Sequence, residues 1–199
     1  MTLSVDFEQR VIHAGCRDLI SENSGRLIGL GGAGLSRMWL GTELHRRIQN
    51  RHLATETGYE AEATVRTTVV VDGWTVHLSG RADGVVRCDD RVVRVDEIKT
   101  LHFAVELTSL FANDRLEPFR RQARLYAWAL SDPDHPAEIR LVLADIVTGE
   151  ERVEAVAWSP TEVEDLLRRR IQRLVNAERR RREAIERRRH AADRLVFPH

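Results

Sequence analysis

The chain has 199 residues, of which 42% are hydrophobic and 31% charged, a composition typical of one soluble globular domain. No apolar run is long enough to span a membrane, and the N-terminus lacks the basic and then apolar pattern of a secretory signal. We therefore expect a cytoplasmic protein without a membrane partner. The net charge is zero, yet residues 161–199 hold twelve arginines against seven acidic residues, so a basic end follows an acidic body.

The first half of the chain is predicted to contain two helices, a glycine-rich loop and a β-hairpin. Helical spacing of apolar residues occurs over 7–22 and 36–54, with the loop at 24–34 between them. The hydrophobic period then changes to two, which predicts strands over 60–71 and 74–87. Asp72 and Gly73 between these strands favour a two-residue hairpin turn.

The second half alternates strands and helices. A third strand is predicted over 91–100, a helix over 114–131 that becomes regular near Pro118, and a hairpin of residues 138–147 and 151–158. Ser159, Pro160 and Glu162 are the start signals of a last helix. Beyond Ala177 its apolar stripe fades, so we expect it to leave the body for solvent, DNA or another domain. The order of elements predicts a mixed α/β domain with a central sheet flanked by helices.

Alternation along the strands decides which polar side chains can meet. In the third strand Glu97 and Lys99 share a face, while Asp96 lies on the opposite one. If the second and third strands pair antiparallel, Asp83 comes close to Glu97. Lys99 is also the single lysine among 31 basic residues, and a compact ammonium is not equivalent to a guanidinium.

Two carboxylates and a lysine at the ends of adjacent strands are suited to a Mg²⁺ or Mn²⁺ site. Hard divalent cations take oxygen ligands and lower the pKa of a bound water. The lysine can orient that water or stabilise charge on phosphoryl oxygens. An acidic residue two positions before a lysine is also compatible with an ordinary surface ion pair.

Four short motifs in chain order resemble the RecB-like branch of the PD-(D/E)XK nuclease family, which includes CRISPR-associated RecB-like exonucleases. The resemblance covers roughly residues 36–175, and its motifs are Gly41…His45, Gly80-Arg81-Ala82-Asp83, Glu97-Ile98-Lys99 and Gln122…Tyr126. The resemblance implies an α/β fold of the restriction-endonuclease-like (PD-(D/E)XK) type, with a metal site where the sheet splits.

The resemblance also implies roles for these residues. Asp83 and Glu97 are implied metal ligands, helped by the Ile98 carbonyl, and Lys99 is the implied catalytic lysine. His45 is implied as a further metal ligand, although the residue type alone equally suits a surface or capping histidine. Gln122 and Tyr126 would support the lysine and contact DNA, but a buried tyrosine with a satisfied hydroxyl explains the pair as well.

Candidate DNA contacts and domain limits follow from the same likeness. Arg81, Arg121 and Arg124 are candidate phosphate contacts, with solvated arginines as the alternative. Residues 1–176 are interpreted as the nuclease domain and residues 177–199 as a basic helical extension or linker. The last five residues, LVFPH, resemble the linker before the helicase motor of DinG-like, XPD-family proteins, so a C-terminal helicase domain is a hypothesis.

Two other patterns concern cofactors. Cys16 and Cys88 cannot supply the four ligands of an iron–sulfur cluster found in many RecB-like relatives, so no cluster is expected. Residues 29–34 match the glycine pattern of dinucleotide-binding loops, but they lack the preceding strand and the later acidic residue.

The sequence therefore predicts a metal-dependent DNA nuclease, an exonuclease on single strands or DNA ends, active in either repair or defence. The alternative is an accessory DNA-binding domain of a helicase that does not cleave.

Overall fold

A computed structural model describes residues 3–20, 35–101 and 116–193. The predicted glycine-rich loop, the start of the 114–131 helix and the LVFPH segment lie outside these residues. The strands are β1 Ser4–Asp6, β2 Val11–Gly15, β3 Tyr59–Val71, β4 Trp74–Cys88, β5 Arg91–Leu101, β6 Glu138–Asp145 and β7 Glu151–Ala155. The helices are α1 Cys16–Ile20, α2 Leu35–Thr55, α3 Glu117–Leu130 and α4 Pro160–Asp193.

The described strands form one seven-stranded mixed sheet, and β4 lies at its centre. Strand β3 pairs antiparallel along the whole of one edge of β4. On the other edge β2 pairs in parallel as far as Ser79, and β5 pairs antiparallel from Gly84 onward. Among the described strands, residues 80–83 therefore have no ladder partner on that edge, and the sheet splits at this point.

The β3–β4 register follows from a tight turn. Asp72 and Gly73 both have positive φ, 48° and 77°, which is typical of a type I′ hairpin whose twist matches its strands. The turn pairs Val71 with Trp74, and the ladder continues to the far end of β3. The Gln172 side chain of α4 donates to the Asp72 carboxylate at 2.7 Å and holds the turn against the body.

Helices cover both faces of the sheet, as predicted. On one face α3 packs its buried Ala123 and Ala127 in the main core with β6 residues such as Leu143. On the other face α2 packs Ile48 against Ile98 and the opposite side of β6. Since consecutive strand residues point to opposite faces, both helices bury apolar surface against the same strands.

The predicted helix over 7–22 is wrong for residues 11–15. These residues form β2, in which Ile12 and Ala14 are fully buried and alternate with half-buried neighbours. Parallel pairing with β4 fixes this strand, and such long-range pairing leaves little local trace in the sequence. Only Cys16–Ile20 is helical within the described part of that prediction.

The other helix predictions agree with the structure. Helix α3 carries Pro118 in its first turn, where no backbone donor is lost. Helix α4 begins at Pro160, and the Ser159 hydroxyl accepts the Glu162 amide at 3.3 Å. The helix still contacts the body beyond Ala177, where it was predicted to leave, because the Arg182 guanidinium lies 4.5 Å from the Phe7 ring centroid. Within the described ranges, no helix is long and apolar enough to cross a membrane.

Candidate metal centre

Asp83 lies at the point where β4 and β5 separate. Its carboxylate is almost buried, and Oδ2 accepts the Ile98 backbone amide at 2.8 Å. This bond satisfies a buried backbone donor of β5 beyond the last residue that pairs with β4. The same oxygen lies 3.4 Å from Lys99 Nζ. Strands β4 and β5 therefore bring Asp83 to the Glu97–Lys99 pair, as the alternation of side chains along these strands predicts.

Lys99 is surrounded by oxygen atoms from both strands. Its ammonium forms an ion pair with Glu97 Oε1, lies 3.4 Å from Asp83 Oδ2 and donates to the Ile98 carbonyl at 3.1 Å. The ammonium also lies 5.3 Å from the Phe119 ring centroid. Only 16% of the side chain is exposed, so its charge is poorly screened. Lys99 opposes the negative charge of the two carboxylates in the absence of a cation.

Glu97 is fully buried, and burial raises the pKa of its carboxyl to about 7. The ammonium of Lys99 opposes this shift and the Asp83 carboxylate adds to it. Gln122 donates to Oε2 at 3.1 Å. Oε1 contacts the Lys99 ammonium, and no other donor to it is found in the part of the chain that the structure describes. A buried carboxylate oxygen that faces a positive charge in this way is suited to a cation ligand.

Gln122 and Tyr126 lie one turn apart on α3 and face the site together. The Gln122 amide is 3.3 Å from the Tyr126 hydroxyl, in addition to its bond with Glu97. Burial first, then the Glu97 carboxylate, raises the pKa of Tyr126 to about 12, so its hydroxyl stays neutral. A Cβ at Gly80 would lie 2.8 Å from the Tyr126 ring, which explains the glycine of that motif. Gln122 therefore fixes the orientation of the Glu97 carboxylate, and the Tyr126 hydroxyl fixes the Gln122 amide.

His45 reaches the site from α2. Its Nε2 lies 3.8 Å from Asp83 Oδ1, on the side of that carboxylate away from Lys99. Burial lowers the pKa of His45, although the Asp83 charge opposes the shift, so the ring is neutral near pH 7. A neutral imidazole is the form that binds a metal. A Cβ at Gly41 would lie 2.9 Å from Thr100 Oγ1, so the glycine permits the close approach of α2 to β5.

Glu62 is a site residue that the sequence-based prediction missed. One ligand atom from each of His45, Glu62 and Asp83 lies within 4.8 Å of the others. A signal was present: counting outward from the two-residue hairpin turn places position 62 opposite Asp83. Gln49 was also missed, and it donates to Glu62 at 2.9 Å and to the Asp83 carbonyl at 2.7 Å.

The donor set fits a hard divalent cation. The carboxylates of Asp83 and Glu97 and the Ile98 carbonyl all contact the Lys99 ammonium, and the neutral His45 ring lies 3.8 Å from Asp83 Oδ1. Among the described residues, the ligand atoms that lie within 4.8 Å of one another are those of His45, Glu62 and Asp83, and the predicted ligand Glu97 is not among them. Oxygen donors with one imidazole suit Mg²⁺ or Mn²⁺ better than the softer metals that cysteine selects.

A groove of about 1350 Å³ is lined by His45, Glu62 and Asp83, while Glu97 and Lys99 are not among its described lining residues. Four arginines are among the described residues that line it: Arg17, Arg46, Arg66 and Arg81. The structure therefore brings Arg81 to the candidate site. It places Arg121 and Arg124 elsewhere, in a cleft between α3 and α4, where both contact Glu117 at 3.2 and 2.9 Å.

Two solved structures share the architecture of this chain. An alkaline exonuclease (LHK-Exo) from Laribacter hongkongensis superimposes with a TM-score of 0.55 at 16% identity, over 87% of this chain and 94% of that one. The crystal structure of SSO0001 superimposes with a TM-score of 0.52 at 18% identity, over 85% and 78%. The fold is restriction-endonuclease-like.

No protein-family model matches the chain, and no curated protein sequence matches it significantly. Sequence identities this low establish the restriction-endonuclease-like fold and leave activity to be argued from the site. The predicted fold class is confirmed.

The pKa of Glu97 predicts an unusual pH dependence of stability in the metal-free protein. Between its ordinary value of 4.5 and about 7, the native state holds a proton that the unfolded chain has lost. The free energy of unfolding should therefore fall as pH rises through this window, by up to about 3 kcal/mol, and then level off.

Urea unfolding at about pH 5 and about pH 8 measures this effect, with Glu97→Gln as the comparison. In the variant, the free energy of unfolding should fall less between the two pH values, because the contribution of Glu97 is removed. Other titrating groups, His45 included, contribute equally to both proteins. Added Mn²⁺ should stabilise the wild type more at the higher pH, because protons compete for the same carboxylate. Identical pH profiles in the two proteins would contradict the assignment.

Proposed function

We propose that the protein is a metal-dependent nuclease that hydrolyses phosphodiester bonds of DNA. The observation that carries the proposal is the convergence of Asp83, Glu97 and Lys99 at the split of a restriction-endonuclease-like sheet. Asp83 lines an arginine-rich groove and contacts the Lys99 ammonium, an arrangement suited to a negatively charged substrate.

Each residue has a defined part in this proposal. Asp83, Glu97, the Ile98 carbonyl and His45 hold Mg²⁺ or Mn²⁺. When bound, the cation lowers the pKa of a water and polarises the phosphoryl group. Lys99 orients the attacking water and opposes charge that develops on the phosphoryl oxygens.

The residues around this set orient it and bind the substrate. Gln122 and Tyr126 fix the orientation of Glu97, and Gln49 fixes the backbone of Asp83. Arg81 binds a backbone phosphate in the groove. By the likeness of its four motifs to RecB-like enzymes, we expect attack on single strands or DNA ends that leaves 5′-phosphate and 3′-hydroxyl products. Arg121 and Arg124, in the α3–α4 cleft, are proposed as phosphate contacts distant from the reacting bond.

The context of the chain is a further part of the proposal. We place it in the RecB-like branch, as a domain of residues 1–176 with a basic extension over 177–199 that joins it to a DinG-like helicase. The long arginine-rich helix α4 supports the basic extension.

That helix also favours the second candidate, an accessory domain that binds DNA without cutting it. Binding and cleavage of single-stranded and duplex DNA, each measured in EDTA and then in Mn²⁺, separate the two candidates. A nuclease binds in EDTA and degrades the strand after Mn²⁺ is added. Binding that is equal in both conditions, with the strand intact, would establish the accessory domain.

The exposed arginines of α4 should contribute to DNA affinity through charge. Replacing Arg180, Arg187 and Arg188 by glutamine should weaken binding of single-stranded DNA in EDTA and lower its salt dependence by about 0.7 per lost phosphate contact. Fluorescence anisotropy over a salt series measures both quantities. Arg152→Gln, on β7, is the matched control. Unchanged affinity and salt slope in the triple variant would make the extension a linker only.

A further inference from the structure

Glu62 has a backbone conformation that its neighbours in β3 do not share. Its φ is +56°, in the left-handed region, which is energetically unfavourable for a glutamate backbone. Ala61 and Ala63 on either side pair regularly with β4. A strained non-glycine residue within a regular ladder persists when the surrounding structure fixes it, and such residues cluster at functional sites.

The Glu62 carboxylate is shared between the metal centre and Arg81. Oε1 accepts the Gln49 amide at 2.9 Å and lies 3.9 Å from His45 Nε2. Oε2 lies 2.5 Å from the Arg81 guanidinium. Arg81 is the more exposed partner of the two, with 69% of its side chain accessible against 41% for Glu62. The buried amide of Gln49 holds Glu62 next to Asp83 whichever way Arg81 points.

These contacts set Arg81 in competition with a cation for the negative charge of Glu62. A guanidinium on the carboxylate cancels the negative charge that would draw a divalent cation to Glu62, His45 and Asp83. A phosphate in the groove offers Arg81 another anion of suitable bidentate geometry. Once Arg81 turns to the phosphate, no guanidinium neutralises the Glu62 carboxylate beside the metal centre.

We propose that Glu62 is a cation ligand that Arg81 occupies in the metal-free protein, so that a DNA phosphate which engages Arg81 tightens cation binding. The proposal rests on the nuclease function above, and it adds a link between substrate and metal. By thermodynamic linkage the cation must in turn tighten DNA binding by the same factor.

Mn²⁺ binding without DNA tests the ligand and its competitor. The free Mn²⁺ signal in electron paramagnetic resonance gives Kd for the wild type, Arg81→Gln, Glu62→Gln and the double variant. Arg81→Gln should tighten binding about two- to fivefold, the range of an exposed ion pair. Glu62→Gln should weaken it by roughly tenfold or more, by analogy with groups that support metal ligands.

The double variant separates a local effect from general electrostatics. If Arg81 acts through Glu62, the effect of Arg81→Gln disappears in the Glu62→Gln background. If it acts only as one more positive charge, the tightening persists there, and Arg66→Gln on the same groove wall produces it too. Persistence of the effect, or unchanged binding in Glu62→Gln, would overturn the proposal.

The same titration with a non-cleavable phosphorothioate strand tests the link to substrate. DNA should tighten Mn²⁺ binding more in the wild type and in Arg66→Gln than in Arg81→Gln. Equal tightening in all three would overturn the link. Cleavage of ordinary DNA is measured separately. If the wild type cleaves DNA but DNA tightens Mn²⁺ binding equally in the wild type and in Arg81→Gln, this proposal alone is refuted. If DNA tightens Mn²⁺ binding more in the wild type but no DNA is cleaved, the nuclease function is refuted and the Glu62–Arg81 competition is retained.

Discussion

Lys99→Ala is expected to lower the rate of DNA cleavage by about 10²- to 10³-fold, the cost of removing one preorganised charge at a reacting group. The ammonium lies between the Asp83 and Glu97 carboxylates, where little solvent can replace it. Lys99→Arg should be nearly as inactive, because a broad planar guanidinium does not fit the position of a compact ammonium. Single-turnover cleavage of an end-labelled strand measures both rates.

Metal binding provides the control for this prediction. Loss of the ammonium removes a competitor of the cation, so Mn²⁺ affinity should be retained or increased in Lys99→Ala. The fold should also persist, since a metal ion can supply the missing positive charge. An active Lys99→Ala protein, or one that is inactive because it no longer binds Mn²⁺, would contradict a role for Lys99 in the chemical step.

Asp83→Asn is expected to reduce cleavage to background and to remove the stabilisation that Mn²⁺ gives the wild type. Asp83 contacts both His45 and Lys99, so its charge is shared by both halves of the centre. The asparagine oxygen can still accept the Ile98 amide, and metal-free stability should change by only about 1–2 kcal/mol. Thermal unfolding with and without Mn²⁺ measures the loss.

Asp89→Asn is a matched control for that variant. Asp89 has a positive φ in the exposed β4–β5 turn, a conformation that asparagine adopts readily. Its cleavage and its response to Mn²⁺ should equal those of the wild type. Normal Mn²⁺ stabilisation in Asp83→Asn would place the cation elsewhere.

Local rules predict the part of the fold that carries the site. The Asp72-Gly73 turn, the period-two strands around it and the parity of Glu97 and Lys99 are visible in the sequence, and the structure has them as predicted. The helix starts at Pro118 and Ser159 depend on capping and on proline geometry, which act within a few residues. Such features need no knowledge of the rest of the chain.

Features set by distant partners were missed. Strand β2 is specified by parallel pairing with β4, about sixty residues later, and its five residues carry too little pattern to outweigh a helical interpretation. Glu62 was overlooked because its backbone has a positive φ within a strand, which the sequence pattern does not reveal. The hairpin register nevertheless places it opposite Asp83. Arg121 and Arg124 lie in a different cleft from the groove that Arg81 lines, and their proposed phosphate contacts stay predictions.

We propose that the split of the sheet holds a cation-dependent centre for DNA hydrolysis. The rate at which the purified protein shortens an end-labelled single strand in Mn²⁺, in Mg²⁺ and in EDTA tests this, with Lys99→Ala treated alongside. Cleavage should require the cation and should disappear in the variant. Cleavage that persists in EDTA or in Lys99→Ala, or an intact strand under every condition, would contradict it.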